Sequence, residues 1–339
     1  MSRKLKTGII GLGRIGQIHL ANLLYHTPQA EVIIASDVSE AAHAAAKKAG
    51  VTTTTSAEEV INHPDVEAVV ICAPTPQHVP YTIAAAQAQK HVFCEKPLDV
   101  TIPAILSAQK AVKDNDVKLM LGFNRRFDPN FARVRTLVTN GSIGNPHIVK
   151  VTSRDPAPPP LEYVKISGGL FLDMTIHDFD MARYITGSEV NEVYVKGDAL
   201  VDPRIKQYND IDTAVIVLTF ANSAIGIIDN SRKAVYGYDQ RLEVFGSKGM
   251  AKAENNTPDN VIQFDDKSGQ SALPLHFFLE RYEKAYQSCI QAFVDCVLND
   301  KPSPVDAHDG LMATVVGLAA GISLKEGRPV KIEEVYKKS

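Results

Sequence analysis

The chain reads Gly8-Ile-Ile-Gly11-Leu-Gly13-Arg14-Ile15-Gly16, which is an apolar run, a glycine-rich turn and the start of a helical pattern. In such a strand–turn–helix unit the first glycine makes the tight turn, the second lets the backbone approach a pyrophosphate, and the third lets helix and strand pack closely. Free N–H groups and the dipole at the start of the helix attract the phosphates. The stretch therefore predicts a dinucleotide-binding turn, with cofactor contacts from Gly11, Gly13, Arg14, Ile15 and Gly16.

The choice of dinucleotide depends on Asp37, which ends the next β-rich run. A carboxylate at that place accepts hydrogen bonds from the adenosine ribose. It would also repel the additional phosphate of NADP, and no arginine follows it immediately to accommodate that phosphate. The sequence therefore predicts NAD as the cofactor.

Short β-rich runs and alanine-rich helical stretches alternate up to residue 123. The β-rich runs fall at 8–11, 31–35, 68–72, 91–94 and 118–121, and the helical stretches at 15–24, 39–49, 81–89 and 103–115. Continuous apolar strands separated by helices predict a parallel sheet that is covered on both faces. Right-handed crossovers then give a doubly wound Rossmann sheet. We assign residues 1–123 to this NAD-binding domain.

The pattern changes after residue 124. Helices are predicted at 127–139, 169–184, 277–298 and 310–326, with strands at 147–153, 193–197, 214–220, 224–230, 242–245 and 261–264. Consecutive β runs joined by glycine and asparagine turns indicate a mostly antiparallel sheet with a helix on one face. Residues 124–339 are thus predicted to form an α+β domain for substrate binding and oligomerisation.

Composition excludes several classes of protein. A length of 339 residues suits two domains, and a net charge of −3 leaves no basic excess for nucleic acid. Glycines interrupt the first apolar stretch, and the apolar run 313–322 is shorter than a membrane span, so we expect a cytoplasmic protein without a membrane partner. Four cysteines without C-x-x-C spacing predict neither disulfides nor a metal site.

Two further strand ends are expected at the same edge of the sheet as the glycine turn, where ligands bind in such folds. Ala73, Thr75 and His78 follow one run and are predicted to face the cofactor, although a helix cap would explain His78 equally well. Glu95-Lys96-Pro97 follows the next run, and Glu95 and Lys96 are also predicted to contact the cofactor. The Lys96 ammonium would stabilise a developing alkoxide, and Pro97 permits a cis bond before it. The alternative for Lys96 is a salt bridge with a neighbouring carboxylate.

A second set of polar residues lies in the predicted helix 169–184. Asp173, His177 and Asp180 are spaced to share one helix face. An imidazole there could remove a hydroxyl proton as hydride leaves the carbon, and Asp173 could bind a substrate hydroxyl. The alternatives are a solvated helix face and a metal site. We predict no metal, because NAD already supplies the electron sink.

The sequence that contains these residues resembles those of a known family, the NAD(P)-dependent sugar and polyol oxidoreductases that include glucose–fructose oxidoreductase and inositol dehydrogenase. The resemblance covers essentially the whole chain and rests on the glycine turn, on Glu95-Lys96-Pro97 and on the Asp173…His177 segment. The inositol 2-dehydrogenase branch is the most similar. The segments that carry this closer resemblance are 122–128, 153–158, 168–180 and 229–239.

The resemblance implies a Rossmann domain, an α+β domain with an open sheet, and homotetramers built through that sheet. It implies catalysis by Lys96, Asp173 and His177. It also places Asn124, Arg125, Asp155 and Tyr236 near the substrate, without deciding between Arg125 and the adjacent Arg126. The expected reaction is the NAD-dependent oxidation of myo-inositol to 2-keto-myo-inositol.

Two alternatives to this reaction stay open. One is oxidation of scyllo-inositol or another sugar or polyol by the same chemistry. The other is an NAD-binding regulator without turnover, which would have no need of Lys96, Asp173 and His177 together.

Overall fold

The structure, a computed structural model, describes residues 3–336 and divides the chain into two units. The first comprises the described residues up to Phe127 together with Lys284–Thr314, and the second comprises Asp128–Glu283 and the described residues from Val315. The first division falls close to the predicted boundary after residue 123. The return of Lys284–Thr314 to the first unit was not predicted, because helical periodicity does not show which sheet a helix covers.

The first unit contains the predicted parallel sheet, with six strands where the sequence pattern indicated five. Its strands are β1 (Leu5–Ile10), β2 (Ala30–Ser36), β3 (Thr52–Thr54), β4 (Ala68–Ile71), β5 (His91–Cys94) and β6 (Leu119–Leu121), in the order β3-β2-β1-β4-β5-β6. The central strand β4 is buried at every residue, as expected for a sheet covered on both faces. The short edge strand β3 is the one that the sequence pattern missed.

The helices of the first unit follow the strands one by one. They are α1 (Arg14–Tyr25), α2 (Ala44–Lys48), α3 (Ala57–Ile61), α4 (His78–Gln87) and α5 (Ile102–Asp114), and most of α11 (Glu283–Leu298) also belongs to this unit. The predicted helix 39–49 is in fact a 3₁₀ turn, Glu40–His43, followed by α2. The strand order reverses between β1 and β4, so their carboxyl ends border the usual ligand crevice of such a sheet.

A seven-stranded sheet forms the second unit. Its strands are β7 (Pro146–Arg154), β8 (Val190–Asp198), β9 (Thr213–Phe220), β10 (Ile225–Ser231), β11 (Asp239–Gly246), β12 (Gly249–Ala253) and β15 (Val330–Lys331), in the order β12-β11-β7-β10-β9-β8-β15. All neighbours are antiparallel except β7 and β10, which confirms the predicted mostly antiparallel sheet. Buried and exposed residues alternate along β9, so one face of the sheet is covered and the other is open.

Helices and one hairpin complete the second unit. They are α6 (Pro129–Thr139), α7 (Leu161–Val164), α8 (Gly169–Asp173), α9 (Ile176–Thr186), α10 (Phe278–Arg281) and α13 (Ile332–Tyr336), with the exposed hairpin β13 (Ile262–Phe264) and β14 (Gly269–Ser271). The predicted helix 169–184 is wrong in one respect, because it breaks after Asp173. The amide N–H groups of Met174 and Thr175 both donate to the carbonyl of Leu170, and a new helix starts at Ile176.

The last long helix, α12 (Ala307–Glu326), contributes residues to both units. Within residues 3–336 it is the one helix long and apolar enough to cross a membrane by composition. In the structure 67% of its apolar window is buried inside the protein, which is typical of a core helix.

Candidate active site

The glycine turn of the first unit leaves space for a ligand at one position only. A Cβ on Gly11 would lie 2.6 Å from the carbonyl oxygen of Cys72, and φ at Gly11 is +90°, a conformation that side chains disfavour. A Cβ on Gly16 would lie 1.9 Å from the carbonyl oxygen of Gly11. By contrast, a Cβ on Gly13 would meet nothing within 4 Å. The protein's own packing thus explains Gly11 and Gly16, whereas Gly13 keeps open a cradle that a methyl group would fill.

Asp37 lies beside this turn at the end of β2. Its Oδ2 accepts a hydrogen bond of 2.7 Å from the N–H of Leu12, and its Oδ1 accepts one of 2.8 Å from the N–H of Ser39. Each carboxylate oxygen has a second lone pair, so the fixed carboxylate can still accept hydrogen bonds from ribose hydroxyls. The cradle and the carboxylate fit NAD, which these residues would hold through its pyrophosphate and its adenosine ribose.

Arg14 and Ile15 open α1 immediately after the cradle. Arg14 is exposed and Ile15 is half-buried. Ala73 and Thr75 are half-buried at the carboxyl end of β4, the neighbour of β1. All four predicted cofactor contacts therefore lie at the strand edge that carries the cradle.

His78, also predicted as a cofactor contact, has a different role in the structure. The side chain is buried, with Nδ1 2.7 Å from the carbonyl oxygen of Pro97 and Nε2 2.7 Å from that of Ala73. Burial lowers the pKa of its imidazole, although the hydrogen bonds to the two backbone carbonyls partly offset this by raising it. His78 therefore braces the turn after β4 against the turn after β5. This structural role agrees with the alternative interpretation of His78 from the sequence, in which it is part of a helix cap.

The Glu95-Lys96-Pro97 turn is held from inside the first unit. The Lys96–Pro97 bond is cis, as the sequence allowed. The buried Glu95 carboxylate lies 2.7 Å from Nε2 of His19 on α1, and it accepts the N–H of Lys96 at 3.3 Å. Glu95, predicted as a cofactor contact, thus turns inward and positions the backbone of the half-buried Lys96.

The 3₁₀ turn Asn124–Phe127 of the first unit contains three buried polar residues, Asn124, Arg125 and Arg126. The Arg126 guanidinium pairs with both oxygens of Asp309, at 3.1 and 2.8 Å, and also donates to the carbonyl of Pro304. Arg126 thus has a structural role, which favours Arg125 as the substrate residue. The Asn124 amide nitrogen is buried and has no hydrogen-bond partner within residues 3–336, a state typical of a group that awaits a polar ligand.

The second unit brings two predicted site residues together. Arg232 donates from one guanidinium nitrogen to Asp155 Oδ2 at 3.3 Å and from the other to Asp173 Oδ2 at 2.9 Å. The Tyr163 hydroxyl donates to the other Asp173 oxygen at 2.8 Å. Burial alone would lower the pKa of Arg232, but the charges of Asp173 and Asp155 raise it above its ordinary value. Sequence analysis missed Arg232, although it lies within the 229–239 segment of the resemblance.

His177 is the second residue of α9 and is half-buried. The helix break separates it from Asp173, because Asp173 ends α8 whereas His177 lies in the first turn of α9. Behind it, Asn230 donates to Asp178 at 2.9 Å and accepts from the Thr175 hydroxyl at 2.6 Å, so the first turn of α9 is bound to β10. Asp180 is buried, which contradicts the solvated-face alternative.

Tyr236, predicted near the substrate, has charged partners of its own. Its hydroxyl accepts a hydrogen bond of 2.8 Å from Arg154 and donates one of 2.6 Å to Asp239. Arg154 follows the buried Ser153 in β7. Because successive side chains of a strand point to opposite faces, Arg154 lies on the face of the sheet opposite the helices. The structure thus gives the Tyr236 hydroxyl a place in an ion-pair network on the open face.

Both halves of the chain match models of one family. Residues 5–123 match the oxidoreductase family with an NAD-binding Rossmann fold, and residues 131–252 match the GFO/IDH/MocA C-terminal domain. Over 333 residues the chain is 49% identical to a myo-inositol 2-dehydrogenase of Thermotoga maritima, covering 98% of this chain and 99% of that protein.

Solved structures agree with this match. A myo-inositol dehydrogenase from Corynebacterium glutamicum superposes with a TM-score of 0.93 at 37% identity, over 97% of this chain and 98% of the other. A scyllo-inositol dehydrogenase from Lactobacillus casei, solved with NAD(H) and scyllo-inositol, gives a TM-score of 0.91 at 32% identity, over 98% of this chain and 100% of the other.

Proposed function

Because the chain belongs to the GFO/IDH/MocA oxidoreductase family, we propose that it is an inositol 2-dehydrogenase that oxidises myo-inositol to 2-keto-myo-inositol with NAD. The observation that carries the choice of substrate is the 49% identity, over 98% of the chain, to a myo-inositol 2-dehydrogenase. The geometry supports it, because the second unit presents ionised acceptors suited to a polyol whose every carbon bears a hydroxyl donor.

We assign the proton transfer to His177. A neutral imidazole accepts the proton of the reacting hydroxyl, and the pKa of histidine ordinarily lies near the working pH of such a base. The hydrogen bonds of Asn230 with Thr175 and Asp178 hold the first turn of α9, which carries this histidine. NAD, when bound, accepts the hydrogen and its electron pair from the carbon.

Lys96 is suited to the oxygen that loses this proton, whereas Asp173 is suited to a hydroxyl that keeps its own. The Lys96 ammonium stabilises the negative charge that develops on the first of these oxygens. The Asp173 carboxylate accepts a hydrogen bond from a substrate hydroxyl, and Tyr163 and Arg232 fix its orientation. Asn124 and Arg125 supply further donors for polyol oxygens, and Asp155 supplies a second acceptor.

The competing substrate is scyllo-inositol, favoured by the likeness to the Lactobacillus casei enzyme. Oxidation of either epimer gives the same ketone, but the hydrogen leaves from opposite faces of the ring. Discrimination therefore depends on which hydroxyls find partners, since an unpaired hydroxyl in a buried site is costly.

The test is NADH formation, followed by absorbance, with purified protein, NAD and one inositol epimer as the only reductant. We expect faster turnover of myo-inositol. Faster turnover of scyllo-inositol would keep the chemistry and change the substrate. No NADH with either epimer, or with a wider panel of sugars and polyols, would favour the regulator without turnover.

We also propose that copies of the chain associate into homotetramers through the open face of the seven-stranded sheet. Apolar side chains that are about half exposed line this face, namely Ile148, Val215, Val217, Ile225 and Phe245. Ile225 pairs with Ile148 and Ile148 with Phe245 across the strands, so they form one contiguous row. An apolar row of this kind is typical of protein interfaces.

The proposed compartment is the cytoplasm, where the enzyme would act in inositol catabolism. The four cysteines are free in the structure, which suits a reducing compartment.

A further inference from the structure

Arg232 is a buried cation that the mechanism above does not use as a reacting group. It follows the last residue of β10, and its side chain is 6% exposed. Its backbone N–H donates to the carbonyl of Asp212 at 2.8 Å, so the main chain is fixed as well. Its two guanidinium nitrogens reach two different carboxylates, Asp155 and Asp173, which come from separate elements of the second unit.

We propose that Arg232 is a positioning residue that keeps Asp155 and Asp173 ionised together and directs both carboxylates toward one polyol. The inference rests on the proposed function, because it takes both carboxylates as ligands of substrate hydroxyls. Arg232 itself acts through them and transfers no proton.

The physical reason is the repulsion between neighbouring carboxylates. Two such groups in a half-buried site raise each other's affinity for protons, so without a cation one of them takes up a proton. A protonated carboxyl presents an O–H donor at the place where the substrate hydroxyl needs an acceptor for its own proton. A third carboxylate, Asp210, adds to this repulsion, since burial and the charge of Asp173 raise its pKa while Arg232 lowers it.

The surroundings of Asp173 show how much of its orientation depends on Arg232. Its charged and titratable neighbours in the described part of the second unit include Arg232, Tyr163 and Asp210, with His177 following on the next helix. Among these neighbours, Arg232 is the one that is always positively charged. A guanidinium holds two carboxylates at a fixed angle because its donors lie in one plane, whereas an ammonium is a point charge and favours one of them.

The decisive comparison is Arg232→Lys against Arg183→Lys. Arg183 is a matched control, because it is also buried on the second unit and pairs through two nitrogens with Glu189, at 2.7 and 2.6 Å. We expect Arg232→Lys to weaken myo-inositol binding to the NADH complex by about 10- to 100-fold, the range expected for a hydrogen bond to a charged group. The dissociation constant of NAD should stay within about twofold, and so should both constants in Arg183→Lys.

Calorimetry and steady-state kinetics measure these effects separately. A drop in kcat/KM for inositol without a change in KM for NAD would support the positioning role. Inositol binding by Arg232→Lys as tight as that of wild type would overturn it. A parallel loss of both ligands would also overturn it, because it would show a role in folding alone.

A second variant keeps the proposal testable if Arg232→Lys does not fold. The double change Arg232→Gln with Asp155→Asn removes one buried charge of each sign and keeps hydrogen-bonding side chains. We expect it to bind inositol at least tenfold more weakly than Asp155→Asn alone, about the effect of one lost charged hydrogen bond. Equal binding by the double and single variants would contradict the proposal.

Failure of the proposed function is distinguishable from failure of this inference. If the wild type neither binds nor oxidises any inositol, the substrate assignment fails. Carboxyl ¹³C NMR of labelled aspartates then tests Arg232 without a substrate, with Asp173→Asn to assign the signal. The Asp173 signal should titrate at higher pH in Arg232→Gln than in Arg183→Lys, and an unchanged titration would refute the proposal.

Discussion

The glycine turn allows a test that separates folding from cofactor binding within one short motif. The two changes are Gly13→Ala and Gly16→Ala. Both add a single methyl group to the same turn, yet one methyl would point into the cradle and the other into the backbone of Gly11, at 1.9 Å from its carbonyl oxygen. They should therefore affect different properties of the protein.

For Gly13→Ala the expected change in the free energy of unfolding is close to zero. Gly13 is the N-cap of α1, with φ −66° and ψ −167°, a conformation open to alanine. Alanine is a poorer N-cap than glycine by about 0.5–1 kcal/mol. It also restricts the unfolded chain, which stabilises the fold by about 0.4–1 kcal/mol. The two effects offset each other.

Its effect on NAD binding should be large. A methyl group in the cradle holds the pyrophosphate away from the N–H groups at the start of α1. One hydrogen bond to a charged group contributes about 1.5–3 kcal/mol. At about 1.4 kcal/mol for each factor of ten, the dissociation constant of NAD should rise about 10- to 100-fold.

Gly16→Ala should have the opposite profile. The added methyl meets a backbone oxygen, which cannot rotate away as a side chain can, so helix and strand must separate. We expect a loss of about 3 kcal/mol in the free energy of unfolding, at the upper end of the cost of overpacking. Thermal unfolding and NAD titration by calorimetry measure both variants. Wild-type NAD affinity in Gly13→Ala would refute the assignment of the cradle, and wild-type stability in Gly16→Ala would refute the packing argument.

Four further predictions concern other parts of the molecule. His177→Ala should lower kcat by about 10²- to 10⁴-fold with NAD affinity retained, and unchanged turnover would exclude the general base. Asp37→Ser should raise the preference for NADP relative to NAD by at least about tenfold in kcat/KM, because it removes a like charge from the site of the additional phosphate. Val217→Lys should give smaller particles by light scattering, since a charge is costly to bury in an apolar interface, whereas an unchanged mass would place the contact elsewhere. Burial raises the pKa of all four cysteine thiols, so the native protein at pH 8 should resist alkylation until it is unfolded.

Local sequence rules account for most of the first unit. The glycine turn, Asp37 and the apolar runs each follow from contacts between residues close in sequence, and β1, β2, β4, β5 and β6 formed as predicted. The three-residue strand β3 was not predicted, because a run of threonines gives little hydrophobic periodicity. The addition of Lys284–Thr314 to this unit is a long-range effect that no local pattern encodes.

The second unit shows where periodicity misleads. The spacing of Asp173 and His177 fits one continuous helix, but the chain breaks between them. Asp210 holds the start of α8 by accepting the N–H of Leu170 at 2.9 Å, and Asn230 holds the start of α9 through Thr175 and Asp178. Both anchors are distant in sequence, so tertiary hydrogen bonds overrode the local pattern.

Charged partners were the least predictable feature of the site. Arg232 was missed because its two carboxylates, one just after β7 and one at the end of α8, are far from it along the chain. The same holds for Arg126, which pairs with Asp309. Because Arg125 and Arg126 are adjacent, the sequence could not show which of the two forms this pair. A spacing rule detects partners that are one helical turn apart. Buried ion pairs instead join charges that the fold brings together from distant parts of the chain, because a buried charge needs a partner of opposite sign.

The pair of His19 and Glu95 links α1 to the turn that carries Lys96, the proposed catalytic cation. A buried carboxylate adds little net stability, because desolvation offsets the attraction of its partners. Glu95 nevertheless excludes any side chain at Gly122, where a Cβ would lie 2.7 Å from Oε1. Its bonds run to His19 on α1 and to the backbone of Lys96. The helix whose start forms the cradle thus also holds the turn that carries Lys96, so within the first unit one element links the predicted cofactor site to the proposed catalytic cation.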